Sequence, residues 1–202
     1  MLRLTGLLLA LLPHFAFAGN QVYEPLSASV RAGLHKAVSD QAVPFLAFDT
    51  AEEARAWLDV MSRKIDRRIP DRRAREEFLV TVHYEAKRAG LDPQLVLGLI
   101  QVESAFRKYA VSSAGARGYM QVMPFWVKLS ENPGDNLFSL RTNLRYGCWI
   151  LRHYLDLEHG DYFRALGRYN GSLGKADYPT QVVRAWLHNW RYPVHATGAA
   201  AR

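Results

Sequence analysis

Glu103 closes an apolar helical run, "LDPQLVLGLIQVES", and a serine- and glycine-bearing stretch, "AFRKYAVSSAGARGYMQVMP", follows it. Leu95, Leu99 and Glu103 recur at i, i+4 and i+8 with Val96, Ile100 and Val102 beside them, so the carboxyl continues the apolar stripe. It also falls in the last turn, where the negative end of the helix dipole disfavours a carboxylate. Burial and dipole both raise the pKa of such a group. A carboxyl kept protonated near neutral pH can serve as a general acid. Periodicity alone leaves a second reading open, a frayed helix end that turns Glu103 into water.

The stretch after Glu103 is equipped for the first reading. Ser112 and Ser113, then Gly115, Ala116, Arg117 and Gly118, supply short side chains and two permissive backbone positions. Such a loop can fold back over the helix end and bring a hydroxyl to the carboxyl. Gln121 and Met123, just before Pro124, add an amide and a soft apolar side chain. Those suit the hydrogen-bonding edge and the flat face of a sugar ring. Other chemistries find less support. The single cysteine, Cys148, excludes an intramolecular disulfide, and Gly147 and Trp149 beside it make it a small buried apolar residue. The seven histidines form no helical i, i+4 pair and have no acidic companion at ligand spacing. No metal and no cofactor are expected.

The elements that must position these residues read as helices throughout. A short helix is expected around 29–39. Thr50 and Glu53 have capping-box spacing, and Trp57, Leu58, Met61 and Ile65 continue as an apolar stripe. Pro70-Asp71 breaks that helix, the next carries Phe78, Val82, Ala86 and Ala89, and Gly90 ends it. Asp92-Pro93 is a helix entry with Asp as N-cap and Pro in the first position, and the helix runs to about Phe106. Further helices are expected at 118–130, 140–158, 161–169 and 179–190. No stretch alternates as a strand, so the fold class is all-α.

At 202 residues the chain suffices for one well-cored domain with a small appendage. Its net charge of +7 favours an anionic partner without choosing among nucleic acid, anionic lipid and a carboxylate-bearing polymer. Arg63, Lys64, Arg67, Arg68, Arg72, Arg73 and Arg75 concentrate that charge between two helices, as a solvated face or as a patch for such a polymer. The N-terminus narrows the choice. Met1-Leu-Arg, an apolar core from Leu4 to Leu12 and Ala16-Phe17-Ala18 have the form of a secretory signal cleaved after Ala18. The run is too short for a permanent membrane span. A periplasmic or secreted location follows, with no stable membrane insertion and no nucleic-acid partner.

The pattern Glu-Ser, a Ser-x2-Gly-type loop and Gly-x-Met-Gln-x-Met-Pro resembles the soluble lytic transglycosylases of glycoside hydrolase family 23, which also holds the goose-type lysozymes. Two further blocks fit: "NLRYGCWILRHYL" at 143–155 and "ALGRYNGSLG" at 165–174. The resemblance covers about residues 75–190 and implies a lysozyme-like helical domain with a substrate cleft. It implies that Glu103 is the sole catalytic acid and that Ser112 orients it. It also implies that Gln121, Met123, Gly115 and Ala116 line a glycan groove, and that Tyr169 and Asn170 close the site opposite. Tyr169 would assist at the reacting sugar. The implied substrate is the peptidoglycan glycan strand, with no cofactor. Three readings stay open: a lytic transglycosylase, a goose-type lysozyme that uses water, and a non-catalytic wall-binding module. Many members read Tyr-Asn-Ala-Gly where this chain has Tyr169-Asn170-Gly171-Ser172, so the loop path there is a separate question. The expected organisation is a signal at 1–18, a helical extension at 19–70, the catalytic domain at 71–192 and a tail at 193–202.

Overall fold

The computed structural model describes residues 21–192, so the expected signal at 1–18 and the tail at 193–202 lie outside the described residues. Helix α1 (Ala28–Val38) starts on Ser27, whose hydroxyl accepts the Val30 N–H. Helix α2 (Ala51–Ile65) opens with the capping box expected at Thr50 and Glu53, both halves formed. Helix α3 (Arg72–Arg88) is capped by Asp71, and Gly90 follows at φ 67°. Helix α4 (Pro93–Ser104) begins on Asp92, which accepts the Gln94 N–H. A short α5 (Phe125–Leu129), a long α6 (Leu140–Leu157), α7 (Tyr162–Asn170) and α8 (Asp177–Arg184) complete the series. A π-helical turn, Ala185–Asn189, continues α8.

The expectation of a helix over 118–130 is corrected. Only Phe125–Leu129 is helical, because Gly118 and Gln121 both adopt positive φ (77° and 50°) and Pro124 sits at the helix entrance. In its place the chain makes two isolated antiparallel bridges, Val111 with Arg117 and Arg117 with Val122. No extended strand forms among the described residues, and the fold is all-α.

One apolar core holds these helices together. Leu34 of α1, Trp57 and Met61 of α2, Phe78 and Val82 of α3, Leu95 and Leu99 of α4, Ile150 and Leu151 of α6 and Leu166 of α7 are all buried in it. Residues 27–65 thus share the core of the later helices. A polar knot fastens the same junction. The buried Glu85 carboxylate accepts from Arg88 at 2.7 Å, Arg141 at 3.2 Å and Arg145 at 3.4 Å. Arg145 also donates to the Val38 carbonyl at 2.5 Å, and Arg141 to Asp40 and the Ala42 carbonyl. A buried carboxylate survives only with such pairing. At the α2–α3 corner, Arg75 is spent inward on Ser62 Oγ and the Ile69 and Pro70 carbonyls, while Arg63, Arg67, Arg68 and Arg73 stay exposed.

Candidate active site

Helix α4 is clamped at both ends, and that clamp places Glu103. At its N-terminus Trp186 Nε1 donates to the Asp92 carboxylate at 2.9 Å. Near its C-terminus Trp190 Nε1 donates to Gln101 Oε1 at 2.8 Å. Between them Gly98 lets the π-helical backbone press close. A Cβ there would come within 2.8 Å of Trp186 N, so any larger residue would push α4 away.

The helix stops abruptly one residue after Ser104. Ala105 and Phe106 both lie in the left-handed region, at φ 50° and 65°, so the helix ends two residues short of where the sequence suggested. Each such non-glycine residue costs roughly 1 kcal/mol. This strain sits directly beside Glu103, a common place for it at a functional site. Glu103 itself is 4% exposed, on the apolar face, so the frayed-end reading falls.

Sequence reasoning missed the residue that meets it. Tyr178, in the first turn of α8, donates its hydroxyl to Glu103 Oε1 at 2.5 Å. Burial, then the nearby Glu103 charge, holds the Tyr178 hydroxyl well above the ordinary tyrosine range, so it is a neutral donor at any physiological pH. Nothing in "KADYPT" marks Tyr178 beforehand except an aromatic before a helix-entry proline.

Tyr169 lies in the same neighbourhood. It is fully buried, and burial followed by the Glu103 charge likewise pushes its hydroxyl up. Its proton goes to the Met120 carbonyl at 2.8 Å, which ties the end of α7 to the loop after Glu103. Asn170 is buried beside it at the end of α7. The variant loop that follows doubles back. Gly171 turns at φ 73°, Ser172 N bonds the Gly167 carbonyl at 2.7 Å, and Leu173 rests on Gly167.

The 105–124 loop is built on a few internal bonds. Ser112 Oγ accepts the Ala116 N–H at 3.1 Å and Ser112 N bonds the Ala116 carbonyl at 3.0 Å, closing a turn through Gly115. Buried Asn143 of α6 takes the Met120 N–H at 2.8 Å and gives its amide to the Arg117 and Leu137 carbonyls at 2.8 and 2.9 Å. Gln121 faces inward. Its side-chain amide donates to the Ala110 and Gly118 carbonyls at 3.1 and 2.9 Å, so it shapes the loop from within. Met123 remains half-buried at the surface. Of the aromatics, Tyr119, Trp126 and Tyr169 belong to the core, and Trp149 and Trp186 are packed against it.

The structure therefore brings Glu103, Tyr169 and Tyr178 together and ties Met120 to Tyr169. A buried carboxyl with a neutral hydroxyl on one oxygen is equipped to pass a proton in both directions.

Comparison with known proteins bears on the same segment. A model described as "Transglycosylase SLT domain" matches residues 81–183. Membrane-bound lytic murein transglycosylase C of Actinobacillus pleuropneumoniae serotype 5b (strain L20) is 56% identical over 52 residues, which is 26% of this chain and 14% of that protein. The transglycosylase of Enterobacteria phage PRD1 is 34% identical over 111 residues, 52% of this chain and 41% of that one. A solved structure of an inactive mutant of lytic transglycosylase Slt from Pseudomonas aeruginosa is 30% identical, covers 63% of this chain and 20% of that one, and superposes with a TM-score of 0.43. The chain spans less than half the length of each of these proteins. With over half its residues inside the family match, and with the matched helices carrying the site just described, the chain belongs to the transglycosylase SLT domain family.

Proposed function

We propose that the protein is a peptidoglycan lytic transglycosylase that cleaves the bond between N-acetylmuramic acid and N-acetylglucosamine without consuming water. The observation that carries this reading is Glu103: a buried carboxyl at the strained end of a clamped helix, with the Tyr178 hydroxyl on Oε1 at 2.5 Å. The names of the relatives, a lytic murein transglycosylase and a phage transglycosylase, point the same way.

Most glycosidases place two carboxylates about the scissile bond. Here one acid serves twice. Glu103 gives its proton to the bridging oxygen, the bond from that oxygen to the muramic-acid C1 breaks, and the sugar's own acetamido oxygen bonds C1. The ionised Glu103 then takes the proton of the C6 hydroxyl. O6 displaces the acetamido oxygen at C1, which closes a 1,6-anhydro ring and returns Glu103 to its starting state. Burial favours the protonated form that begins the cycle. The Tyr178 hydroxyl favours the carboxylate in the middle of it.

Ser112 is assigned to orienting Glu103. Tyr169 assists through its oxygen lone pairs, since its proton is given to Met120. Met123, Asn170, Gly115 and Ala116 line the groove, and Gln121 contributes through its backbone. The exposed arginines at the α2–α3 corner suit a polymer bearing peptide carboxylates. No described helix is long and apolar enough to cross a membrane. A periplasmic or secreted location rests on the signal pattern at 1–18, and the division at residue 70 into extension and catalytic domain belongs to the same proposal.

Digestion of purified sacculi tests the reading. Muropeptides lighter by one water, with anhydro ends, are expected, whereas reducing ends would make the protein a hydrolase of the goose-lysozyme type. Glu103→Gln should lower the rate by at least about 100-fold while the protein stays folded. Undiminished cleavage by that variant would remove Glu103 from the mechanism, and binding without any release would favour a wall-binding module.

A further inference from the structure

The segment 121–123 has two edges. Val122 donates its N–H to the Arg117 carbonyl and accepts the Arg117 N–H on its own carbonyl, both at 3.0 Å. Backbone groups alternate along an extended chain, so the Gln121 carbonyl and the Met123 N–H face the opposite edge. That edge is filled by a side chain from far away in the sequence. Gln21 Nε2 donates to the Gln121 carbonyl at 3.1 Å, and Gln21 Oε1 accepts the Met123 N–H at 3.0 Å. The Gln21 side chain is thus one amide bridging one acceptor and one donor, in a residue 4% exposed.

The residues after it cross toward the other side of the site. Tyr23 sits edge-on to Phe125 at 5.6 Å, and Glu24 reaches Arg168 at 3.4 Å on α7, the helix that carries Tyr169 and Asn170. Residues 21–24 therefore run from one expected wall of the groove to the helix that forms the other. Their hold is light. Val22, Tyr23, Glu24 and Pro25 are exposed and adopt no regular structure, so Gln21 is the one buried residue of 21–25. Two neutral hydrogen bonds and an exposed ion pair oppose opening only weakly.

We infer that residues 21–24 are a displaceable strap, in which the Gln21 amide stands where a backbone residue of the substrate's stem peptide binds. This rests on the transglycosylase reading for the identity of the ligand. A trans secondary amide points its N–H and C=O in opposite directions, but one residue of an extended peptide presents its own N–H and C=O on the same side, as the Gln21 side-chain amide does. A stem-peptide residue can thus take over at Gln121 and Met123 without leaving either backbone group unsatisfied in a buried place, which a single acetamido group cannot do. The resting chain occupies its own binding edge, and substrate enters by exchange.

Calorimetric titration of Gln21→Ala against the unaltered chain tests the strap. Tri-N-acetylchitotriose offers acetamido groups alone, and a sugar-free stem tetrapeptide offers peptide amides alone. The variant should bind the tetrapeptide about 3- to 10-fold more tightly and the chitotriose no more tightly than the unaltered chain does. KM on sacculi should fall by a similar factor with kcat held. In the unaltered chain, exchange of the Gln21 side-chain amide protons, which the Gln121 carbonyl holds, should rise on adding the tetrapeptide while the Met123 N–H stays protected. Weaker or unchanged binding of the tetrapeptide would make Gln21 a fixed support of the loop and overturn the strap. If Gln21→Ala does not fold, Glu24→Ala loosens the other end and carries the same expected sign. Binding and exchange are read without turnover. A Glu103→Gln variant that still cleaves would sink the proposed function and leave the strap to be judged by its own data.

Discussion

Replacing Tyr178 by Phe would remove one oxygen and leave the ring in its pocket. The hydroxyl on Glu103 Oε1 favours the ionised carboxyl, so without it ionisation becomes harder. The alkaline edge of the activity profile should move to higher pH, and kcat should fall by about 10- to 100-fold with KM little changed. A pH series of sacculus cleavage by Tyr178→Phe checks both; an unshifted profile would reduce Tyr178 to packing. This residue also marks where reading the sequence stopped. Glu103 could be singled out because helical periodicity reports which face a residue occupies. Tyr178 is 75 positions away and meets Glu103 only after α4 and α8 have packed, and no local pattern encodes that meeting. Ser112 stands between these cases: its loop was legible from its glycines, and the Ala116 N–H it holds was not.

At the scale of elements, helix caps were the most readable feature. Thr50 and Asp92 each cap the helix they precede, because a short polar side chain ahead of an apolar run satisfies backbone N–H groups locally. The 118–124 segment was misread as helix for the opposite reason. Its conformation is imposed by α6, where Asn143 seizes the Met120 N–H and Gly147 receives the Met120 side chain. A Cβ on Gly147 would come within 2.7 Å of Met120 Cβ, too close for a side-chain rotation to relieve. Gly147→Ala should therefore cost about 1–3 kcal/mol in urea unfolding. It should also depress cleavage, because the Met120 carbonyl that receives the Tyr169 hydroxyl would shift. Full activity in a stable Gly147→Ala protein would show that the loop tolerates movement there.

Across the whole molecule, titration offers a probe of how residues 27–65 are fastened down. His83 on α3 stacks on Phe48 at 4.7 Å and meets Trp57 edge-on at 5.0 Å. Burial, helped by Lys87, lowers its pKa from 6.5 to about 4. Above pH 6.5 the ring is neutral folded or unfolded and costs nothing. Between 6.5 and about 4 only the unfolded chain binds the proton, so stability is lost as pH falls through that window. The loss should approach about 2 kcal/mol after solvent screening, visible as a drop in Tm between pH 7 and pH 4.5. His83→Phe should flatten that part of the profile, and an unchanged slope would point to other groups.

The family match runs from residue 81 to residue 183, and the structure shows what those limits cut through. Residue 81 lies inside α3 (Arg72–Arg88), and residue 183 falls one short of the end of α8. A gene fragment trimmed to the match would discard Trp186 and Trp190, whose ring N–H groups hold Asp92 and Gln101 at the two ends of the helix that carries Glu103. It would also discard Val38, whose carbonyl receives buried Arg145. For anyone transplanting this activity into another protein, the portable cassette is larger than the recognisable one and begins no later than the residues that precede α1.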